Sequence, residues 1–167
     1  MDGRRFLYDS DKQYDAIFCD VYRSFAAVPT HFASQEFFQL AHDKLNHNGV
    51  FITNEFGSST EDNQSMINSI AKTMASVFPQ WYVFATINPD RQVLQNFIFI
   101  GHNNQNKIDL SVASQIDFDY LALNNIAAKE YNITDDQLAS VALFTDDYAP
   151  IEYLAANIIR QYMNVLE

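Results

Sequence analysis

Tyr14-Asp15-Ala16-Ile17-Phe18-Cys19-Asp20 is the stretch that sets the fold class. It is a short apolar run closing on a carboxylate. That pattern belongs to a strand buried in a parallel sheet, whose C-terminal end delivers an acid to a crevice. A loop follows from Val21 to His31 and contains Pro29. The next periodic stretch predicts a helix from about Ser34 to Asn46, with Phe37, Leu40, Ala41 and Leu45 at helical spacing. Ser34 is a candidate N-cap, and Asn48-Gly49 offers residues that tolerate positive φ at the stop.

Gly49 to Asn54 reads as a second strand, followed by a loop rich in Ser, Gly and Thr. A second helix is predicted from roughly Glu61 to Phe78, with Ile67, Ile70, Ala71, Met74 and Phe78 along one face and Pro79 ending it. Trp81 to Ile87 and Asn96 to Gly101 read as strands of an antiparallel hairpin, joined through Asn88-Pro89-Asp90. The order strand, helix, strand, helix, strand, strand predicts an α/β sheet with a parallel core and an antiparallel hairpin at its edge. Residues 1–105 are expected to form this unit. Residues 106–167 read as a mostly helical extension packed on it, over Ala113 to Tyr131 with interruptions, Asp135 to Leu143 and Ile151 to Leu166.

The chain has 167 residues, 48% of them hydrophobic, with 14 Phe and 9 Tyr, so it can build a packed core. Its formal net charge of -11 repels phosphate backbones and anionic lipid heads, which argues against nucleic acid and membrane surfaces as partners. The same charge suits a cationic substrate such as an amine. Cys19 is the single cysteine, so there is no internal disulfide, and its apolar setting reads as a small buried hydrophobe. No run reaches the roughly 18 apolar residues of a membrane span, and no apolar segment follows Met1-Asp2-Gly3-Arg4-Arg5 as in a signal peptide. A cytoplasmic protein is expected. His31, His42, His47 and His102 lack metal-ligand spacing, and no G-x-S-x-G nucleophile elbow occurs.

Three segments, taken in order, resemble the second half of the spermidine synthase (polyamine aminopropyltransferase) family. They are Asp2-Gly3-Arg4-Arg5-Phe6-Leu7, then Tyr14 to Asp20, then Phe37-Phe38-Gln39-Leu40 through Leu45-Asn46-His47-Asn48-Gly49-Val50. Leu143-Phe144-Thr145-Asp146-Asp147-Tyr148-Ala149-Pro150-Ile151-Glu152 looks like the terminal signature of spermidine-synthase-like proteins. The resemblance implies half of a Rossmann-like, methyltransferase-type sheet. It also implies transfer of an aminopropyl group from decarboxylated S-adenosylmethionine to an amine. Asp2 with Gly3 would then contact the adenine of the nucleoside, and Asp20 would orient and deprotonate the attacking amine. Asp146-Asp147 with Glu152 would either line the crevice mouth or cap the last helix.

The sequence also departs from the family. Arg23 stands where a second carboxylate would face a diamine, which puts putrescine in doubt. The four glycines, Gly3, Gly49, Gly57 and Gly101, form no G-x-G cluster, so no tightly bound cofactor is expected. Decarboxylated S-adenosylmethionine, S-adenosylmethionine and methylthioadenosine remain candidate ligands. Without the upstream strand the Ala16 to Asp20 edge would be bare, and a homodimer or a separate N-terminal half is expected to cover it. Two alternatives stay open: a methyltransferase-like protein using S-adenosylmethionine, and a non-catalytic binding or assembly module.

Overall fold

The structure is a computed structural model that describes residues 2–21, 29–60, 65–109, 111–112 and 126–165. Its elements are α1 (Gly3–Asp9), β1 (Tyr14–Cys19), α2 (Gln35–Asp43), β2 (Leu45–Ser58), α3 (Ser65–Ala75), β3 (Gln80–Ala85), β4 (Leu94–His102), α4 (Asp135–Ala139) and α5 (Ile151–Val165). Single 3-10 turns occur at Thr30–Phe32 and Ile126–Lys129. Arg23, the Glu61 start of the second predicted helix, the stretch 113–125 and Leu166 lie outside the described residues.

The four strands form one sheet in the order β1-β2-β4-β3. β1 runs parallel to β2, while β4 is antiparallel to both β2 and β3. The hairpin is therefore at the edge of the sheet, with its second strand folded back between β2 and β3. This is the mixed, Rossmann-like α/β arrangement. Tyr131 N–H donates to Val83 O at 2.7 Å and a bridge joins Phe84 to Glu130, so the outer edge of β3 is partly paired. Among the described residues no strand lies beyond β1.

Alternation along β2 sends Phe51, Thr53, Glu55 and Gly57 to one face, where each is buried. α2 and α3 cover that face. Phe37 and Phe38 from α2 pack on Phe51, and the Phe51 ring stacks on Phe78 at 5.8 Å and 13°. Gly101 of β4 pairs with Phe51, and a Cβ there would lie 2.6 Å from the Phe78 ring. Glycine at that position is thus what lets the ring lie down on the sheet. The opposite face carries Ala16 and Phe18 on β1 and Val50 and Ile52 on β2, paired in register. It is less covered: Phe18 is 65% exposed.

Ser34 caps α2 as read from the sequence, its Oγ accepting from Phe37 N–H at 3.3 Å. The helix end differs. It stops at Asp43 with Lys44 as a right-handed C-cap, and no described residue has positive φ. The backbone enters β2 directly at Leu45, and the pairing jumps from Tyr14↔Leu45 to Ala16↔Val50. Residues 46–49 bulge out of the ladder, fastened by Asn46 Nδ2 to Asp15 Oδ1 at 2.6 Å and Asn103 N–H to Gly49 O at 3.0 Å. Gly49 is a bulge residue, not a helix stop.

The C-terminal segment adds to the same core. Phe144, Ile151, Ala155 and Ile158 join the cluster formed by α2, α3 and the sheet. Phe144 N–H donates to Thr73 Oγ1 at 2.9 Å, Gln35 N–H donates to Phe144 O at 2.9 Å, and Lys72 Nζ donates to Val141 O at 2.7 Å.

Candidate functional site

β1 ends at Cys19, so Asp20 stands at the C-terminal lip of the sheet, exposed to solvent. Asn54 of β2 reaches across, its Nδ2 donating to Asp20 Oδ1 at 3.2 Å. Directly beneath, on the helix-covered face, Cys19 pairs in register with Thr53, and Thr53 Oγ1 donates to Glu55 Oε1 at 2.9 Å. Burial pushes the Glu55 carboxyl up to about 8; the Thr53 hydrogen bond opposes this and the neighbouring Asp20 charge adds to it. Glu55 is therefore largely protonated near neutral pH. Burial, reinforced by Glu55, pushes the Cys19 thiol up to about 12. That is an inert thiol, in keeping with its reading as a small buried hydrophobe.

An apolar pocket of about 280 Å³ borders this strand end, lined by Gly3, Phe6, Phe18, Cys19, Val21 and Phe32 among others. It connects the Gly3 corner to the residues on either side of Asp20. A larger open groove of about 780 Å³ runs between α1 and α2, where Asp2, Arg5, Tyr8, Gln39 and Asp43 line it. The smaller pocket borders the strand end, and the groove does not. Asp2 and Gly3, adjacent in sequence, thus serve different cavities.

Asp2 is the N-cap of α1: its Oδ1 accepts from Arg5 N–H at 3.0 Å, and its Oδ2 lies 3.5 Å from His31 Nε2. The Arg5 N–H is the main cause holding the Asp2 carboxyl below the ordinary carboxylate value. The carboxylate is thereby partly engaged within its own helix. A Cβ on Gly3 would meet the Phe32 ring at 3.7 Å, an ordinary contact, so close backbone approach is not enforced there by the surrounding protein. Asp146 neither lines the strand-end pocket nor caps α5. Its carboxylate grips Arg4 through both oxygens, at 2.7 and 2.6 Å. Glu152 lies in the first turn of α5. Among the described residues no group of three or more His, Cys, Asp or Glu side chains could hold a metal, and no helix is long and apolar enough to cross a membrane.

Residues 1–112 match the family model described as the spermine/spermidine synthase domain. The chain belongs to that family. A probable polyamine aminopropyl transferase from Bifidobacterium longum (strain NCC 2705) is 27% identical over 175 residues, covering 96% of this chain and 38% of that protein. Among solved structures, a probable spermidine synthase from Corynebacterium glutamicum ATCC 13032 superposes with a TM-score of 0.55 at 18% identity, over 95% of this chain and 50% of that one. A spermidine synthase in complex with the transition-state analogue AdoDATO gives 0.51 at 15% identity, over 82% and 46%. This spermine/spermidine synthase-family chain therefore spans half or less of the length of these relatives. The match covers the Asp2-Gly3 segment, β1 with Asp20, and β2; the Asp146 motif lies beyond it.

Two features of the site were not read from sequence. Glu55 falls where the sequence reads as a Ser/Gly/Thr loop, yet β2 continues through it. The residues carry no such period: the buried face takes Phe51, Thr53 and Glu55 while Ile52 and Phe56 lie on the other, so only burial in the folded sheet alternates past Asn54. The Arg4–Asp146 pair joins residues 142 apart, and no local pattern announces it.

Proposed function

We propose that this chain supplies the acceptor side of an aminopropyl transfer, in which an amine attacks the propyl carbon of decarboxylated S-adenosylmethionine. The observation that carries the reading is the strand-end corner: Asp20, held by Asn54, near the buried Glu55, at the rim of an apolar pocket reaching Gly3. An amine reaches neutral solution as a cation and must lose a proton before it can attack. Asp20 accepts that proton and orients the nitrogen. The new C–N bond forms as the C–S bond of the sulfonium breaks, sulfur takes the electron pair, and methylthioadenosine leaves. Burial disfavours the charged form of Glu55, which leaves the exposed Asp20 as the base.

The donor's ribose and tail would need the glycine-rich turn that this sequence lacks. Gly3 and the apolar pocket offer it only an adenine-side surface, so binding by the chain alone should be weak. The edge of β1, beyond which no strand lies among the described residues and beside which Phe6 and Phe18 are exposed, is the place for completion. Given the half-length match, a separate N-terminal half adding a parallel strand suits that edge; a second copy of the chain is the competing occupant.

The test is titration of the purified chain with methylthioadenosine and both forms of S-adenosylmethionine, alongside light scattering. Weak saturable binding lost in Asp2→Ala supports the nucleoside corner. Aminopropyl product abolished in Asp20→Asn, once the sheet is completed, supports the base. A folded chain that shows no saturation at millimolar nucleoside retires the transferase reading. It would leave a non-catalytic assembly module built on the β1 edge. Transfer of methyl in place of aminopropyl would move the chain to methyltransferase chemistry.

A further inference from the structure

We propose that Asp146 is a positioning residue for the Asp2–Gly3 corner, acting through Arg4 from the far end of the sequence. The inference rests on the nucleoside reading of that corner given above. α1 has seven residues and buries only Leu7, so packing alone holds it weakly. Arg4 supplies the rest. Its guanidinium is bidentate to Asp146 at 2.7 and 2.6 Å, donates to His31 O at 3.0 Å, and lies 6.0 Å from the Phe37 ring centroid. The paired, planar geometry is the strong form of a charge-assisted contact.

Asp146 is itself fixed from the other side. Its Oδ1 accepts from Ser34 Oγ at 2.5 Å and its N–H donates to Glu36 Oε2 at 2.9 Å. Thr145 and Tyr148 form a bridge around it, and Phe144 anchors the segment in the core. One carboxylate therefore fastens α1 and the turn at His31 to the first turn of α2. Both of these flank Asp2, which lies two residues before Arg4 and contacts His31. Cutting the clasp leaves sheet, α3 and core intact while freeing the corner that would meet the adenine. Asp147, exposed beside it, makes no such link and is the natural control.

Hydrogen exchange by NMR on the full chain, with methylthioadenosine titrated against each variant, tests this. In Asp146→Asn the Arg5 and Phe6 amides should exchange roughly tenfold faster, and nucleoside affinity should fall roughly tenfold, while β2 and α3 keep their protection. The swapped pair Arg4→Asp with Asp146→Arg restores the ion pair but not the bonds to His31 O and Ser34 Oγ, so it should recover only part of both properties, and Asp147→Asn should change neither. Unchanged α1 exchange in Asp146→Asn, or unchanged affinity despite faster exchange, overturns the proposal. So does an equal effect from Asp147→Asn, which would make net charge the cause. Absence of saturable binding by the wild-type chain sinks the nucleoside reading instead, and with it the positioning role, whatever the exchange rates show.

Discussion

At Glu55 burial and charge are in direct conflict: the residue is 1% exposed, on a sheet face it shares with Phe51, Phe97 and Phe99. Its native value of about 8 lies well above the ordinary 4.5, so the native state keeps a proton that the unfolded chain has already released. Stability must then fall as pH rises between those two values, and by a few kcal/mol in all, since each unit is worth about 1.4 kcal/mol. Glu55→Gln keeps the shape and removes the titration. Urea unfolding at pH 5 and pH 8 should show the variant gaining on wild type at the higher pH; parallel pH profiles would mean that Glu55 ionises freely. Asp20→Asn belongs to the same scale but to the other property. It should leave stability within about 0.5 kcal/mol, being exposed, and remove the base from the amine reaction, a loss on the order of a hundredfold or more in turnover.

The helices were legible because caps and apolar spacing are local. Ser34 and the Phe37–Phe38–Ala41 face place α2, and Ser34→Ala should cost about 1 kcal/mol by thermal unfolding, with a further loss because Ser34 also donates to Asp146. The strands were legible in identity and less so in extent. β2 runs four residues beyond the predicted Asn54, to Ser58, because its pairing with β4 continues to Ser58↔Leu94, and pairing partners are not written in a strand's own residues. Gly101 makes the same point from the packing side. Gly101→Ala should lower stability by about 1–3 kcal/mol through the collision with Phe78, and Phe78→Leu in the same chain should return part of it. If Gly101→Ala unfolds at the wild-type temperature, Phe78 has room that the close approach denies.

At the scale of the molecule, one face of the sheet is sealed by α2, α3 and α5, and among the described residues one edge ends at β1. Phe144 shows how the C-terminal segment enters that seal: fully buried, with both its backbone polar groups bonded to α2 and α3 neighbours. Phe144→Ala should cost about 3–5 kcal/mol and detach residues 141–158 together, read as a joint loss of exchange protection in α5 and the first turn of α2. Phe18→Asp should do the reverse: little change in the stability of the isolated chain, but loss of any association across the β1 edge in sedimentation. Association that persists in Phe18→Asp would place the interface elsewhere.

The α/β class, the strand ending at Asp20, the capped α2, the edge hairpin and the missing glycine cluster were determined by the sequence alone. Each is built from segments of at most about twenty residues, within which backbone preference and hydrophobic period act directly. Only the tertiary structure decided that β4 lies inside β3, that Glu55 is buried beside Asp20's strand end, and that Asp146 holds Arg4. These are matters of which surfaces meet after the chain has closed loops of tens to more than a hundred residues. Loop closure costs little more for long separations than for short ones, so sequence distance carries almost no information about which partner is chosen.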